Sequence, residues 1–153
     1  MPGDNHYQRA RTNASTGQRG EDAAAGYLTQ QGCSILARNW RAGHGEIDIV
    51  ASCPPETSDA KLGGATLPSV LVFVEVRTRH GRAGLAEESI SQRKALSMVE
   101  AAYAYMASHN LDSEATRWRV DLVAISMSAT GIKSINWIKG ALDEDMVYGG
   151  AGT

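Results

Sequence analysis

Two short apolar stretches of this sequence carry acidic side chains. Residues 45–50 read GEIDIV and residues 72–77 read VFVEVR, and each has the composition of a buried β-strand. A carboxylate within such a strand is costly unless a positive charge lies against it. Two strands of this kind predict a shared cation, and a cation held by carboxylates predicts chemistry on water and phosphate.

Asp48 and Glu75 are the carboxylates that we expect to meet, provided that their two strands pair around the long loop between them. Alternate residues of a strand share a face, which predicts Glu46 and Asp48 on one side of the sheet and Ile47 and Ile49 on the other. Two carboxylates in contact repel unless a cation lies between them. Mg²⁺, or Mn²⁺ in its place, takes carboxylate oxygens and keeps several waters, so a hard divalent ion is the expected cofactor.

Arg77 lies two residues beyond Glu75 and therefore on the same face of its strand. Its guanidinium would hold a phosphate through paired hydrogen bonds and stabilise added negative charge. It cannot act as a general base, because a guanidinium stays protonated above about pH 12. An attacking water must then lose its proton to a carboxylate, or lose it because a bound metal ion lowers the pKa of the water.

These residues also have a structural interpretation. Acidic and basic residues on adjacent strands often form ordinary ion pairs, and Glu75 with Arg77, or Asp48 alone, fits that pattern. Glu21 is a third acid: it lies three residues before Ala24 and so shares the inward side of the first predicted helix. The combination of these three acids with the arginine favours a functional site.

The elements that must position these residues follow the order α-β-β-β-α-β-β. A capping box at Ser15 predicts a helix over 15–31 that ends at Gly32. The other elements are predicted as strands over 33–40, 44–51 and 70–77, a helix over 90–109, and strands over 119–125 and 132–138. Three consecutive strands predict a meander, and the helix that follows returns the chain to a mixed sheet flanked by helices, an α/β fold.

Length and composition fit one globular domain with its own core: 153 residues, 42% of them hydrophobic, with a net charge of −2. We predict residues 15–142 as the domain and residues 1–14 and 143–153 as disordered tails. The small negative charge excludes a histone-like binder of polyanions but allows an enzyme with a local basic rim.

The sequence gives no sign of export or membrane insertion. Apolar runs stay well below the roughly 20 residues that a membrane helix needs, and the N-terminus lacks the apolar region of a signal peptide. We therefore expect a cytoplasmic protein without a membrane partner. In that compartment Cys33 and Cys53 are expected to be two reduced thiols.

The motifs resemble those of the small bacterial YraN-like family of predicted endonucleases, within the PD-(D/E)xK nuclease superfamily, which is related in fold to archaeal Holliday-junction resolvases. The resemblance covers about residues 16–142 and implies a restriction-endonuclease-like core. Its most specific part is the GEIDIV and FVEVRTR pair with the spacing seen here. Further matching stretches lie at 20–21, 38–39, 94, 119–124 and 137–139.

By this resemblance, Asp48 and Glu75 would be metal ligands, and the backbone carbonyl after Glu75 would contribute. Glu21 would match the superfamily's additional acidic residue. Arg77 occupies the position of the superfamily's lysine, and Lys94 matches a basic residue on the following helix. The implied activity is hydrolysis of phosphodiester bonds in DNA, with branched, recombination-type or single-stranded substrates.

DNA contacts are predicted for Arg77, Arg79, Arg93 and Lys94. The analogy with structure-selective resolvases, which commonly act as dimers, predicts a homodimer. The alternative is a nucleic-acid-binding module that keeps the nuclease fold without turnover, for which the arginine at the lysine position is the reason. A third interpretation is a structural or interaction protein whose acidic strands form ordinary ion pairs.

Other polar and aromatic residues favour structural roles. Asp121 is expected to pair with a basic neighbour such as Arg119, rather than to support the site from the far side. Trp40 and Trp137 are expected to pack in or around the core, and His44 to be an exposed turn residue. Residues 52–69 are predicted as a long loop that stands away from the metal or forms part of a substrate wall.

Overall fold

A computed structural model describes residues 5–43, 45–56, 68–81 and 90–142, with side chains from residue 17 onward. The predicted turn residue His44, the centre of the predicted 52–69 loop and the predicted tail 143–153 lie outside the described residues. In the described part of the chain, neither helix has the length and apolarity needed to cross a bilayer.

Seven elements lie within these residues, in the predicted order α-β-β-β-α-β-β. They are α1 Asn5–Gln30, β1 Ser34–Ala42, β2 Gly45–Cys53, β3 Val70–His80, α2 Gln92–Ser108, β4 Trp118–Ser128 and β5 Gly131–Ile138. The predicted α/β class is confirmed, and the arrangement is consistent with a restriction-endonuclease-like core.

The five strands form one mixed sheet in sequence order, β1-β2-β3-β4-β5. β1, β2 and β3 pair antiparallel as the predicted meander. β3 and β4 pair parallel, since α2 carries the chain back across the sheet between them, and β5 pairs antiparallel with β4. The start of β3, residues 70–74, is buried, as its continuous apolar sequence predicts for a central strand.

Each face of the sheet is covered by one helix. α2 packs on a cluster that includes Phe73 and Leu122, through a stripe at helical spacing that contains Met98 and Tyr105. α1 packs on the opposite face through Ala24 and Leu28, against Val72, Val74, Val123 and Ile125. The catalytic candidates of β2 and β3 therefore lie on strands that are covered on both sides.

The first helix begins earlier than its sequence signals predict. α1 starts at Asn5, so Ser15 lies inside the helix and residues 5–14 of the predicted tail are helical. The reason is that residues 5–16 contain neither glycine nor proline, so nothing interrupts the helix upstream of the capping-box sequence. The division into a tail, a domain and a second tail otherwise remains a prediction.

The predicted end of the first helix is confirmed. Gly32 has a φ of 94°, its N–H donates to the carbonyl of Thr29, and the N–H of Cys33 donates to the carbonyl of Leu28. This pair of hydrogen bonds is the Schellman motif, which needs a residue in the left-handed region where glycine is favoured. The motif turns the chain directly into β1.

Cys33 and Cys53 form a disulfide, so the expectation of two reduced thiols is wrong. The two residues flank the pair Ser34 and Ser52, which face each other where β1 begins and β2 ends. Strand register, and no spacing motif in the sequence, brings the two sulfurs together.

Candidate active site

The two predicted metal ligands lie where the β2–β3 ladder stops. The pairing described for these strands extends as far as Ile49 opposite Val74, and Asp48 and Glu75 are the next residues along each strand. At this point the Oδ2 atom of Asp48 accepts a 2.8 Å hydrogen bond from the N–H of Val76. A side chain thus takes the place of the next backbone rung, which holds the Asp48 carboxylate against β3.

The alternation of faces along β2 breaks at Asp48. Ile47 packs in the cluster under α2 and Ile49 in the cluster under α1, so the prediction that these two share a face is wrong. In β1 the residue opposite Asp48 is Asn39, whose φ of 50° lies in the left-handed region that asparagine tolerates. This irregular backbone is the local reason that simple alternation fails here.

An open cleft of about 390 Å³ runs from these carboxylates along α1 and β3. It brings together the three predicted acids, Glu21 from α1, Asp48 from β2 and Glu75 from β3. Its described lining is Gly17, Glu21, Asp48, Glu75, Val76, Thr78 and His80.

Close packing of α1 on β3 places Glu21 at this cleft. Gly20 is buried, and a Cβ atom there would collide with the side chain of Thr78. Glycine is therefore required for the helix to approach β3 this closely. The neighbouring Glu21 is 20% exposed and lies 3.7 Å from the Nη2 atom of Arg38, which also pairs with Asp22 at 2.7 Å.

The pKa of Asp48 is raised from its ordinary value of 3.8 to about 7, and burial is the largest cause. The charge of Glu75 contributes to this rise, the hydrogen bond from Val76 opposes it, the charge of Glu21 contributes to it, and the charge of Lys94 opposes it. Asp48 and Glu75 thus repel each other at close range. A cation between them would reverse this repulsion and keep both carboxylates ionised.

Glu75 has an incompletely hydrogen-bonded carboxylate within the described part of the chain. Its side chain is 12% exposed, and its Oε2 atom is buried without a hydrogen-bond partner among the described residues. Lys94 lies 3.5 Å from that oxygen, an ion pair beyond hydrogen-bond length. Lys94 is held at the start of α2, where the side chain of Ser91 caps the helix and accepts from the Lys94 N–H.

The other predicted basic residues are spread around the cleft. Arg77 is half-buried on β3 opposite Ala124, and the described lining of the cleft contains its neighbours Val76 and Thr78 but not Arg77 itself. Arg79 and Arg93 are exposed. Arg93 and Lys94 line a second open groove of about 550 Å³ at the start of α2, with Ser91, Leu96, Ser97 and Glu100. Lys94 thus connects this groove with the acidic pair, because it lines the groove and lies 3.5 Å from Glu75.

Asp121 is a structural residue, as predicted. It is completely buried and accepts two hydrogen bonds from the Nε atom of Arg119, at 3.0 and 3.1 Å. The indole N–H of Trp137 and the N–H of Gly140 complete its partners at 2.8 and 2.9 Å. The packing role of Trp40 is also confirmed, by an edge-on contact with Tyr105 at 5.4 Å between ring centroids.

The residues present fit a hard divalent ion held mainly by two carboxylates. Within the described residues, no three His, Cys, Asp or Glu side chains are assembled as a metal cluster. The available donors are Asp48 and Glu75, with Glu21 at the side of the cleft. Carboxylate oxygens are the ligands that Mg²⁺ prefers, with waters completing its shell. The Glu75 oxygen without a hydrogen bond is the atom that such an ion would satisfy.

Sequence reasoning assigned no role at this site to two residues, although the stretch 38–39 is among those that match the family. Arg38 lies on β1 beside Glu21, and His80 lies on the last position of β3 at the rim of the cleft. A signal for His80 existed, because the period of two along β3 puts residues 76, 78 and 80 on one face. No sequence signal connects Arg38 with α1, since that contact depends on how the helix docks.

The sequence is similar to those of a widespread bacterial family. Residues 20–125 match the family described as "Uncharacterised protein family UPF0102". UPF0102 proteins of Chloroflexus aurantiacus and Roseiflexus castenholzii are 39% and 42% identical to this chain, each over 84% of this chain and 93% of the relative. A UPF0102 protein of Neisseria meningitidis is 35% identical over 84% of this chain and 96% of the relative.

A comparison with solved structures finds Pyrococcus furiosus SfsA in complex with Ca²⁺, at 10% identity and a TM-score of 0.31. The match covers 89% of this chain and 65% of that structure, so this chain spans about two thirds of its length.

Proposed function

The chain belongs to the uncharacterised protein family UPF0102, the YraN-like group that its motifs predict, and from its acidic cleft we propose that it is a metal-dependent DNA nuclease. The substrates proposed are branched, recombination-type or single-stranded DNA. The observation that carries the proposal is the meeting of Asp48 and Glu75 at the end of the β2–β3 ladder, with one Glu75 oxygen buried and without a hydrogen bond.

Asp48 and Glu75 would hold one Mg²⁺ or Mn²⁺ ion. Bound there, the ion would supply Lewis-acid chemistry, which neutralises phosphate charge and makes water easier to deprotonate. Two carboxylates that repel each other in its absence would become its ligands. A bound ion would give a reason for keeping two largely buried and incompletely hydrogen-bonded acids side by side in the folded protein.

Glu21 would orient the attacking water and accept its proton, since it faces the cleft and keeps partial access to solvent. The water oxygen forms a bond to phosphorus, the bond from phosphorus to one sugar oxygen breaks, and solvent protonates the leaving oxygen. Arg38, 3.7 Å from Glu21, would position that carboxylate.

Lys94 and Arg77 would stabilise the negative charge that develops on phosphate. In the structure Lys94 neutralises Glu75 at 3.5 Å. A cation held by Glu75 would repel the ammonium group, which leaves Lys94 for the phosphate. The groove lined by Arg93 and Lys94, together with exposed Arg79, would supply the local positive surface that a chain of net charge −2 needs to bind DNA.

The test is cleavage of a panel of branched and single-stranded DNA with Mg²⁺ or Mn²⁺. Asp48→Ala and Glu75→Ala are each expected to lower the rate by about 100-fold or more, because removing a ligand removes transition-state stabilisation. Asp112→Ala, an exposed acid beyond α2, is the matched control and should cleave at the wild-type rate. Equal activity in all four proteins would overturn the catalytic proposal.

Arg77 in place of the superfamily's lysine favours a second candidate, a nucleic-acid-binding module without turnover. Salt-sensitive DNA binding that persists in Asp48→Ala, with no cleavage by the wild type under either metal, would support this candidate. The third interpretation, a structural protein with ordinary ion pairs, requires that calorimetry detect neither divalent-metal nor DNA binding. The predicted homodimer and cytoplasmic location remain predictions.

A further inference from the structure

His80 lies at the far end of the acidic cleft. It is exposed at the last position of β3, and it lines the cleft together with Asp48 and Glu75. Neither the pairing of the carboxylates nor the proposed hydrolysis uses it. An imidazole at the rim of this cleft can donate a hydrogen bond to the phosphate of a bound DNA strand.

The strand geometry fixes how far His80 lies from the reacting atoms. His80 is four residues beyond Val76, whose N–H holds Asp48, and a strand rises about 3.3 Å per residue, so about 13 Å separate the two Cα atoms. That distance is too long for the imidazole to touch the phosphate at the carboxylates. A phosphate that His80 contacts must therefore be a different one, further along the same strand of DNA.

The space between these two positions is open. Thr78, midway along this face of β3, lies against the buried Gly20. One turn earlier on α1, a Cβ atom at Gly17 would meet nothing within 4 Å. Gly17 and His80 both line the cleft, and glycine at residue 17 adds no side chain that would fill it.

The negative charge of the cleft is the reason that a hydrogen-bond donor at His80 would help to bind DNA. The cleft carries three acids, Glu21, Asp48 and Glu75, and a DNA strand that enters it brings further negative charge. A metal ion and Lys94 would offset this charge at the inner end only. We propose that His80 binds the phosphate that flanks the scissile one, and so makes the cleft select a DNA strand over a single nucleotide.

This inference rests on the proposed function, and oligonucleotide binding tests it without any cleavage. The probes are thymidine oligonucleotides with one, two and three phosphodiester groups, titrated against the protein with Ca²⁺ and followed by fluorescence anisotropy. The wild type should gain about tenfold in affinity when the phosphate that reaches His80 is added, as one charge-assisted hydrogen bond provides. His80→Leu, which has no hydrogen-bond donor, should lack this step.

Two controls assign the step to His80 and to phosphate charge. His109→Leu removes the histidine at the opposite end of α2 from Lys94 and should keep the step. A neutral methylphosphonate in place of the added phosphodiester should abolish the step in the wild type and change nothing in His80→Leu.

The outcomes separate the inference from the proposed function. Affinity that rises equally with length in the wild type and in His80→Leu would overturn the flanking-phosphate site alone and leave the nuclease test intact. A wild type that binds none of the three oligonucleotides and cleaves no DNA in the panel would overturn both.

Discussion

Two places on the same sheet bury a carboxylate, and they differ in how completely its charge is compensated. Asp121 on β4 is fully buried and accepts hydrogen bonds from a guanidinium, an indole and a backbone N–H. Asp48 on β2 accepts one, from the Val76 N–H, and faces Glu75, whose Oε2 atom lacks a hydrogen bond. The chain itself supplies the hydrogen-bond partners of Asp121, whereas the carboxylates of Asp48 and Glu75 lack some of theirs among the described residues.

The difference shows how to separate structural from functional acids in a fold. A buried charge with all of its partners stabilises the surrounding backbone and has little left to offer a ligand. Two acids that repel each other and are incompletely hydrogen-bonded either keep a proton, as the raised pKa of Asp48 indicates, or remain open to a partner from outside the chain. Asp121 lies where β4 meets β5, and Asp48 and Glu75 lie where β2 meets β3. Both kinds of acid thus lie between paired strands, and what distinguishes them is the set of hydrogen-bond partners around each carboxylate.

The largest expected effect on stability comes from removing the fully hydrogen-bonded carboxylate of Asp121. Asp121→Ala would leave the Arg119 guanidinium and the Trp137 indole N–H without their acceptor in a buried setting. We expect a loss of about 3–5 kcal/mol in the free energy of unfolding, since removing one partner of a buried ion pair exposes the other to an uncompensated environment. Urea denaturation measures this loss. A loss below about 1 kcal/mol would contradict the assignment of Asp121 as a structural centre.

The next prediction concerns the pH dependence of the unsatisfied region. The pKa of Asp48 is about 7 in the folded protein and near 3.8 in the unfolded chain, so the folded state binds the proton more tightly. The contribution of Asp48 to stability is fully present below pH 3.8 and is lost as the pH rises through 7. Metal-free protein should therefore become less stable across this range relative to Asp48→Asn, which resembles the protonated acid.

The measurement is the difference in free energy of unfolding between wild type and Asp48→Asn, in EDTA, from pH 4 to pH 7. Taking the difference removes the titration of other groups. A difference that stays constant across the range would contradict the raised pKa of Asp48.

The sequence predicts most of the sheet because its strongest signals are local. The apolar run of β3, the Schellman glycine at residue 32 and the stripe of α2 each depend on a few neighbouring residues. The early start of α1 was missed because a capping-box sequence marks a helix start only where the preceding residues disfavour helix. Here residues 5–14 do not.

The sequence predicted which acids come together but not the geometry that joins them, and the predicted Arg77 is not among the described residues that line the cleft. Glu21, Asp48 and Glu75 do line one cleft, and the acidic residues in apolar strands were the signal. Three features depend on contacts that no local pattern encodes. They are the change of face at Asp48 opposite the left-handed Asn39, the Cys33–Cys53 disulfide set by strand register, and the place of His80 at the rim.

The smallest expected effects on stability come from two glycines of α1, the helix that carries Glu21. Gly17 and Gly20 lie one turn apart on α1, and alanine in a helix interior is favoured over glycine by about 0.5–1 kcal/mol. A Cβ atom at Gly17 meets nothing within 4 Å, whereas at Gly20 it collides with Thr78. Gly17→Ala should therefore raise the free energy of unfolding by that amount, and Gly20→Ala should lower it by about 1–3 kcal/mol, as overpacking does.

The collision also makes Gly20→Ala a test of how Glu21 is positioned. Thr78→Ala removes the atom that a Cβ atom at residue 20 meets first, so the double variant should recover part of the lost stability. If α1 must lift from β3 to accept the methyl group, Glu21 moves away from Asp48, and the affinity for Mn²⁺ measured by calorimetry should fall in Gly20→Ala but not in Gly17→Ala. Equal stabilities for the two alanine variants would show that α1 does not depend on this close approach.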